Sequence, residues 1–245
     1  MISVTILTKN SEETLQAALE SVRSFPEVLV YDTGSTDLTL QIAQAFPNVI
    51  IRQGTFNGFG PVHNTATELA SHDWILSLDS DEVLSDELAL EIQQIQLDAS
   101  CVYSILRHNY FNGKHIKWCG GWHPDRVVRL YNRKKTRFSD APVHEKVQAA
   151  ALKEVSLKHP MRHYPYRCIS DFLAKMQTYT TLFAEQEHSK KSSLMKAIFH
   201  GWHAFFKSYI LKRGFLGGKE GFIISAYNGH TAFYKYLKLS EKSFE

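Results

Sequence analysis

The 245-residue chain has only three cysteines, Cys101, Cys119 and Cys168, with no CxxC pair among them. That excludes a disulfide framework and favours a reducing compartment. No unbroken hydrophobic run is longer than four residues, so nothing reads as a bilayer span, which takes about 20 mostly apolar residues. Any membrane contact is therefore expected to be peripheral. The start, Met1-Ile2-Ser3-Val4-Thr5-Ile6-Leu7, lacks the basic stretch of a signal peptide and reads as a buried strand. GxGxxG is missing after that strand and GxxxxGK[ST] is missing altogether, which disfavours a dinucleotide cofactor and a P-loop. There is no internal repeat, no low-complexity tract and no nucleic-acid-binding motif.

Charge is present and unevenly spread. Residues 1–105 carry 3 Lys and Arg against 15 Asp and Glu, a net −12; residues 106–245 carry 25 against 10, a net +15. An acidic first part and a basic second part imply two different jobs in one chain.

Periodicity in the first hundred residues alternates strand and helix. Strands are expected at Ile2–Leu7, Val28–Tyr31, Val49–Ile51 and Trp74–Leu78. Helices are expected from a Ser11 cap to about Ser24, over Asp37–Phe46 with Ser35 or Thr36 as cap, and over Val62–Ala70. Such a pattern predicts a mostly parallel sheet with helices on both faces, whose ligands bind beyond the carboxyl ends of the strands. Asp32 and the pair Asp79/Asp81 fall at those ends. Short strands and loops are expected from Cys101 to Val147. Helices are expected over Asp171–Glu187, over Ser192–Lys212, and over a last segment of about 20 residues after the glycine-rich stretch 214–221.

Asp79-Ser80-Asp81 ends an apolar strand. Two carboxylates one residue apart suit a hard divalent cation, Mg²⁺ or Mn²⁺, that also grips a diphosphate; a solvated acidic turn capping the next helix has the same sequence. Asp32 ends a strand where a carboxylate could accept from a nucleobase or ribose.

Thr8-Lys9-Asn10, Asp32-Thr33-Gly34-Ser35-Thr36-Asp37 and Leu78-Asp79-Ser80-Asp81-Glu82, in this order and spacing, resemble glycosyltransferase family 2 enzymes of the GT-A fold. Gly121-Trp122-His123-Pro124-Asp125-Arg126, Arg129-Leu130-Tyr131, Ala141-Pro142-Val143-His144-Glu145-Lys146 and the stretch from Leu211 to Phe222 are similar to the bacterial lipopolysaccharide core β-1,4-glucosyltransferase subgroup. The resemblance covers nearly the whole chain. It implies an inverting transfer of a hexose, glucose in that subgroup, from a UDP-sugar to a lipid-anchored saccharide acceptor such as the inner-core heptose. Thr8 and Asp32 would contact the uracil, Asn10 would belong to the same donor site, and Asn64 would line the nucleotide pocket. Asp79 would lie near ribose and metal, and Asp81 would ligate the metal.

Inversion needs one base to deprotonate the acceptor hydroxyl. Glu145 occupies the position similar to the family's base; Asp125 is the rival, although Arg126 and Arg129 beside it offer a structural ion pair. His144 stands where the commoner pattern has an acid, so it would complete the metal shell, hold the diphosphate or be structural. Trp122, Arg126 and Arg129 fall on the acceptor side, where arginine forks suit phosphate. Leu194, Ile198, Trp202, Phe205 and Tyr209 share one helical stripe, and Lys196, His200, His203 and Lys207 another; the helix either packs on the catalytic domain or lies on an anionic membrane surface.

The resulting expectation is an α/β GT-A domain over residues 1–165, with a donor and metal half (1–105) and an acceptor half (106–165). A helical basic extension over 166–245 would touch the cytoplasmic face of the inner membrane, and no nucleic acid is expected as a partner. A polyprenyl-phosphate or capsule acceptor, or a non-catalytic sugar-nucleotide-binding protein, are the other readings.

Overall fold

The runs Ile2–Thr8 (β1), Glu27–Asp32 (β2) and Trp74–Asp79 (β4) are almost wholly buried. Continuous burial of both faces is what a central parallel strand requires. β1 lies parallel between β2 and β4, with Thr8 opposite Asp32 and Leu7 opposite Asp79, and Val49–Gln53 (β3) adds parallel to β2 at the edge. The expected strands are therefore observed. In this computed structural model the described residues are 1–141, 145–166, 168–187 and 190–241. They divide into two units, Met1–Arg107 with Arg126–His163, and His108–Asp125 with Tyr164–Glu245.

In the first unit, Leu15–Ser21 (α1), Thr39–Gln44 (α2), Phe59–Leu69 (α3) and Asp86–Gln94 (α4) flank the sheet. Glu82–Leu84 (β5), Cys101–Phe111 (β6, whose last residues pair with Lys114–His115, β7, in the second unit), Asp125–Asn132 (β8), Lys153–Ser156 (β9) and Met161–His163 (β10) complete it. The order is β3-β2-β1-β4-β8-β6-β10-β5, with β7 and β9 paired on β6, and β8 runs antiparallel to β4. This mixed sheet with flanking helices and a helical C-terminal region is the expected fold class.

Two expectations for the first unit are corrected. Helix α1 begins at Leu15 rather than beside Ser11, whose hydroxyl meets Ser80 Oγ at 2.9 Å instead of capping. Glu12 serves the neighbouring helix: its carboxylate accepts from Leu38 N at 3.0 Å, while Asp37 accepts from Glu12 N at 3.2 Å. Ser35 and Thr36 do not cap α2, because Ser35 Oγ donates to Asp32 and Thr36 N donates to Asn10 Oδ1. The stretch after Cys101 also contains an 11-residue strand, β6, longer than expected.

The second unit is built on Ile169–Gln186 (α5), Leu194–Phe206 (α6) and Gly218–Glu241 (α7). Ser193 caps α6 by accepting from Lys196 N. The expected single helix over 192–212 is instead α6 followed by a π-helical turn, Lys207–Leu211, and a 3-10 turn, Gly214–Gly217. That wide turn buries Ser208, whose hydroxyl meets Ser225 Oγ and Asn228 Nδ2. Helix α6 turns its small residues, Ala197 and Gly201, inward and its large apolar ones outward: Met195, Phe199 and Trp202 are 72, 63 and 62% exposed. The apolar stripe is thereby redrawn, since the Phe205 and Tyr209 rings pack against Phe222 while Leu194, Met195, Ile198, Phe199 and Trp202 face out. Among the described residues no helix is long and apolar enough to cross a membrane.

Candidate active site

The strand register brings Thr8, Asp32 and Asp79 to the carboxyl ends of neighbouring strands β1, β2 and β4, where an open α/β sheet holds its ligands. Asp32 is fully buried, and its carboxylate organises its own loop, accepting from Gly34 N, Ser35 N, Ser35 Oγ and Gln53 Nε2. Asn10 laces the first loop to the second, donating from its backbone to Ser35 Oγ and accepting from Thr36 N. Thr8 Oγ1 is buried without a hydrogen-bond partner among the described residues. Asn64, on α3, spends both ends of its amide on the backbone of Phe138, at 3.1 and 3.0 Å. It therefore pins the segment that leads to Glu145.

That segment is tightly seated. Gly60 opens α3 against it: a Cβ there would come 1.9 Å from Ser139 O, so no larger residue fits without displacing backbone. Ser139 N donates to Lys146 O, and Phe138 bridges to Val147. Glu145 stands at the carboxyl end of β4, 4.0 Å from His63 Nε2 and close enough to Asp79 to feel its charge.

At its centre is a buried ion-pair network. Arg129, from β8, donates to both Asp79 and Glu82; Glu82 also accepts from Arg107 at 3.1 Å and from Asp79 N at 3.0 Å. Burial disfavours the Arg129 charge, but the two carboxylates more than offset this and hold its pKa above the ordinary range. Burial likewise pushes the Asp79 carboxyl up, yet the Arg129 guanidinium, aided by His63 and Arg107, outweighs it and keeps Asp79 well below the usual carboxylate range. Glu145 goes the other way, pushed up by burial with the Asp79 charge adding to it. Two neighbouring carboxylates are thus driven apart, one held ionised and one poised to take a proton.

Between them sits His63, from the buried face of α3. Its ring stacks on Phe138 at 4.2 Å, Nδ1 meets Ser77 Oγ at 3.1 Å, and Nε2 lies 4.0 Å from both Asp79 Oδ1 and Glu145 Oε1. Burial pushes its pKa down to about 4. His63, Glu82 and Arg107 had no role in the sequence reading. The available signal was a histidine on the apolar stripe of a short helix, beside Val62, Ala66 and Thr67.

Asp81 projects from the turn after β4 with a quarter of its side chain exposed, and His163 Nε2 lies 3.6 Å from its Oδ1. Asp79 is 38% exposed at the side chain. A cation shared with a diphosphate takes few protein ligands, one or two carboxylates with phosphate and water for the rest. Two partly exposed carboxylates fit that demand. Among the described residues no group of three or more His, Cys, Asp or Glu surrounds one point, and His144 lies outside the described residues.

The remaining candidates have partners of their own. Asp125 accepts from Asn109 Nδ2 at 3.0 Å within the second unit. Trp122 is buried there in an aromatic cluster with Tyr166 and Phe172. Arg126 donates to Ser104 O at 3.3 Å. Arg129, expected on the acceptor side, is spent on Asp79 and Glu82; the nearby Arg133 donates to the carbonyls of Thr67 and Ala70 near the end of α3, and Arg137 to Asp140.

A run of parallel strands with acidic groups at their carboxyl ends defines an α/β protein whose ligand site is expected at that edge of the sheet. The chain belongs to glycosyl transferase family 2, whose model matches residues 3–157, and it is a glycosyltransferase. An uncharacterized glycosyltransferase of Rickettsia bellii is 30% identical over 261 residues, covering 100% of this chain and 87% of that protein. The lipopolysaccharide core biosynthesis glycosyltransferase LpsC of Rhizobium meliloti is 24% identical over 255 residues, covering 98% and 92%. Among solved structures, S. aureus TarS 1-349 in complex with UDP-GlcNAc is 17% identical with a TM-score of 0.46, covering 98% of this chain and 88% of that one.

Proposed function

We propose that the chain is an inverting hexosyltransferase that moves glucose or a close relative from a UDP-sugar to a lipid-anchored saccharide, the inner-core heptose of lipopolysaccharide. The observation that carries the chemistry is the opposed pair of carboxylates: Glu145 pushed up by burial, Asp79 held ionised by Arg129. Glu145 takes the proton of the acceptor hydroxyl as its oxygen bonds to the anomeric carbon. The bond from that carbon to the diphosphate oxygen breaks on the opposite face, and its electron pair leaves with UDP. General-base assistance of this kind is worth about 10²–10⁴ in rate. Asp81 and Asp79 are the residues that would hold a divalent cation, which supplies charge neutralisation for the departing diphosphate. Thr8, Asn10 and Asp32 shape the donor side, Asp32 by fixing the loop after β2.

The acceptor class is supported by the 24% likeness to the lipopolysaccharide core enzyme and by the exposed face of α6. Residues 190–219 contain six Lys and one Arg and no Asp or Glu, and Met195, Phe199 and Trp202 stand out among them. Aromatic and apolar side chains ringed by cations suit an anionic lipid surface, here the cytoplasmic face of the inner membrane. UDP release from a panel of UDP-sugars, with and without heptose-terminated lipopolysaccharide, tests the reading; release that no acceptor stimulates would overturn it.

A further inference from the structure

Among the described residues His63 Nε2 is buried with no hydrogen-bond partner, and His63 is 1% exposed. Leaving a buried polar atom unpaired is costly, so a buried orphan inside a site asks for a reason. Its surroundings supply one. Ser77 Oγ at Nδ1 and two carboxylate oxygens equally distant from Nε2 decide which nitrogen carries the proton of the neutral ring. A lone pair on Nε2 would face two negative groups; a proton there faces two acceptors. The favoured form therefore has Ser77 Oγ–H donating to Nδ1 and the ring proton on Nε2.

We propose that His63 is a positioning residue of the transfer reaction, its Nε2–H engaging Glu145 Oε1 so that the second oxygen of that carboxylate is presented to the acceptor hydroxyl. The single proton cannot serve both carboxylates at once. Asp79 already has Arg129 and so yields it to Glu145. At 4.0 Å the two groups face each other just beyond hydrogen-bond length, and catalytic contacts of this type shorten in the reacting complex. Stacking on Phe138 fixes the ring plane, and Phe138 is itself pinned by Asn64. The helix, the ring and the base thus form one support.

The inference rests on Glu145 being the base, and its test has an arm that does not. In the ¹⁵N-histidine-labelled full chain, His63 should give the neutral Nε2–H form, and Glu145→Gln should move its Nε2 resonance while Glu20→Gln, at the remote Arg23 pair, does not. An Nδ1–H form, or a resonance indifferent to Glu145→Gln, overturns the contact. In UDP release from UDP-glucose with core lipopolysaccharide, His63→Leu should lower kcat about 10- to 100-fold with UDP affinity and donor KM near wild type. His63→Gln, which keeps an N–H donor, should recover part of the loss. Equal loss in both variants, or unchanged kcat in His63→Leu, overturns the positioning role. Wild-type protein with no UDP-sugar turnover would sink the proposed activity instead, leaving the resonance measurement to decide the contact.

Discussion

The guanidinium of Arg129 is bound to the carboxylate of Asp79, so one of the two aspartates that follow β4 is neutralised from inside the protein. The same guanidinium holds Glu82, which is fully buried. Removing one partner of a buried pair leaves an uncompensated charge, which costs about 3–5 kcal/mol. Arg129→Met should lose that amount in urea denaturation, and Asp79→Asn, whose side chain is partly exposed, should lose less. The pH dependence follows from the depressed Asp79 pKa. Its stabilisation is complete above the ordinary aspartate range, near about pH 4, and fades as acid protonates the carboxylate. An Arg129→Met protein within 1 kcal/mol of wild type, on the order expected of surface changes, would contradict the network.

Glu145 titrates above the usual carboxylate range because it is buried beside Asp79. As a base it works only when ionised, so kcat/KM should fall on the acid side through that raised pKa and level off above it. Glu145→Gln should lose about 10²–10⁴ in rate and the acid limb together, with UDP affinity preserved. Stability has the opposite sign. A raised carboxyl pKa contributes stability at low pH that is lost as pH rises through it, so the neutral Gln variant should be no less stable than wild type at pH 7. A variant that melts earlier there would point to a structural role instead.

Asp81 is the freer of the two carboxylates proposed for the cation, since Asp79 is committed to Arg129. Asp81→Asn should abolish the part of UDP affinity that depends on Mn²⁺, read by calorimetry with metal or chelator. Equal affinity with and without Mn²⁺ in wild type would remove the metal from the site.

What the sequence made legible is what short-range pattern encodes. Apolar runs marked β1, β2 and β4, and the strand ends marked Asp32 and Asp79, because parallel strands buried on both faces are written as continuous apolar runs. Helix α4 is expected only as the helix that follows the acidic turn; its start is written in Ser85-Asp86-Glu87, an ordinary capping signal, with Ser85 accepting from Leu88 N. The partners of Asp79 were not legible at all. Arg129 is 50 residues away and Glu145 reaches His63 across 82, and nothing local distinguishes an arginine destined for acceptor phosphate from one that will be buried. Asn64 illustrates the same limit, since only the arrival of Phe138 turns its amide from a donor-site candidate into a peg.

Gly201 lies where α6 crosses α7. A Cβ on it would sit 2.9 Å from Phe233 Cβ and 3.1 Å from Gly229 O. In an isolated helix Gly→Ala gains about 0.8–1.0 kcal/mol; here the neighbours are a backbone carbonyl and a side-chain root that cannot rotate away. Overpacking of this kind costs about 1–3 kcal/mol, so Gly201→Ala should destabilise the chain despite its better propensity. A raised Tm in that variant would mean that α6 and α7 separate more readily than their contact implies.

The outward face of α6 gives a prediction independent of catalysis. A helix in water gains most by burying its largest apolar groups, yet α6 buries Ala197 and Gly201 and exposes Met195, Phe199 and Trp202. Exposed cations flank them, Lys190, Lys191 and Lys196 toward one end and Lys207, Lys212 and Arg213 toward the other. Each cation near an anionic surface contributes about 1 kcal/mol, so Lys212→Gln with Arg213→Gln should weaken binding to phosphatidylglycerol-containing vesicles on the order of thirtyfold. Phe199→Ser with Trp202→Ser should abolish what remains at high salt, where the electrostatic part is screened. Both pairs lie on the exposed surface, so melting temperature and UDP affinity should stay at wild-type values. Sedimentation with phosphatidylcholine vesicles alone should recover little protein. If anionic vesicles recover no more, or if the Phe199/Trp202 change dissolves a dimer instead of a vesicle complex, this face belongs to a protein partner and the acceptor is not met at a membrane.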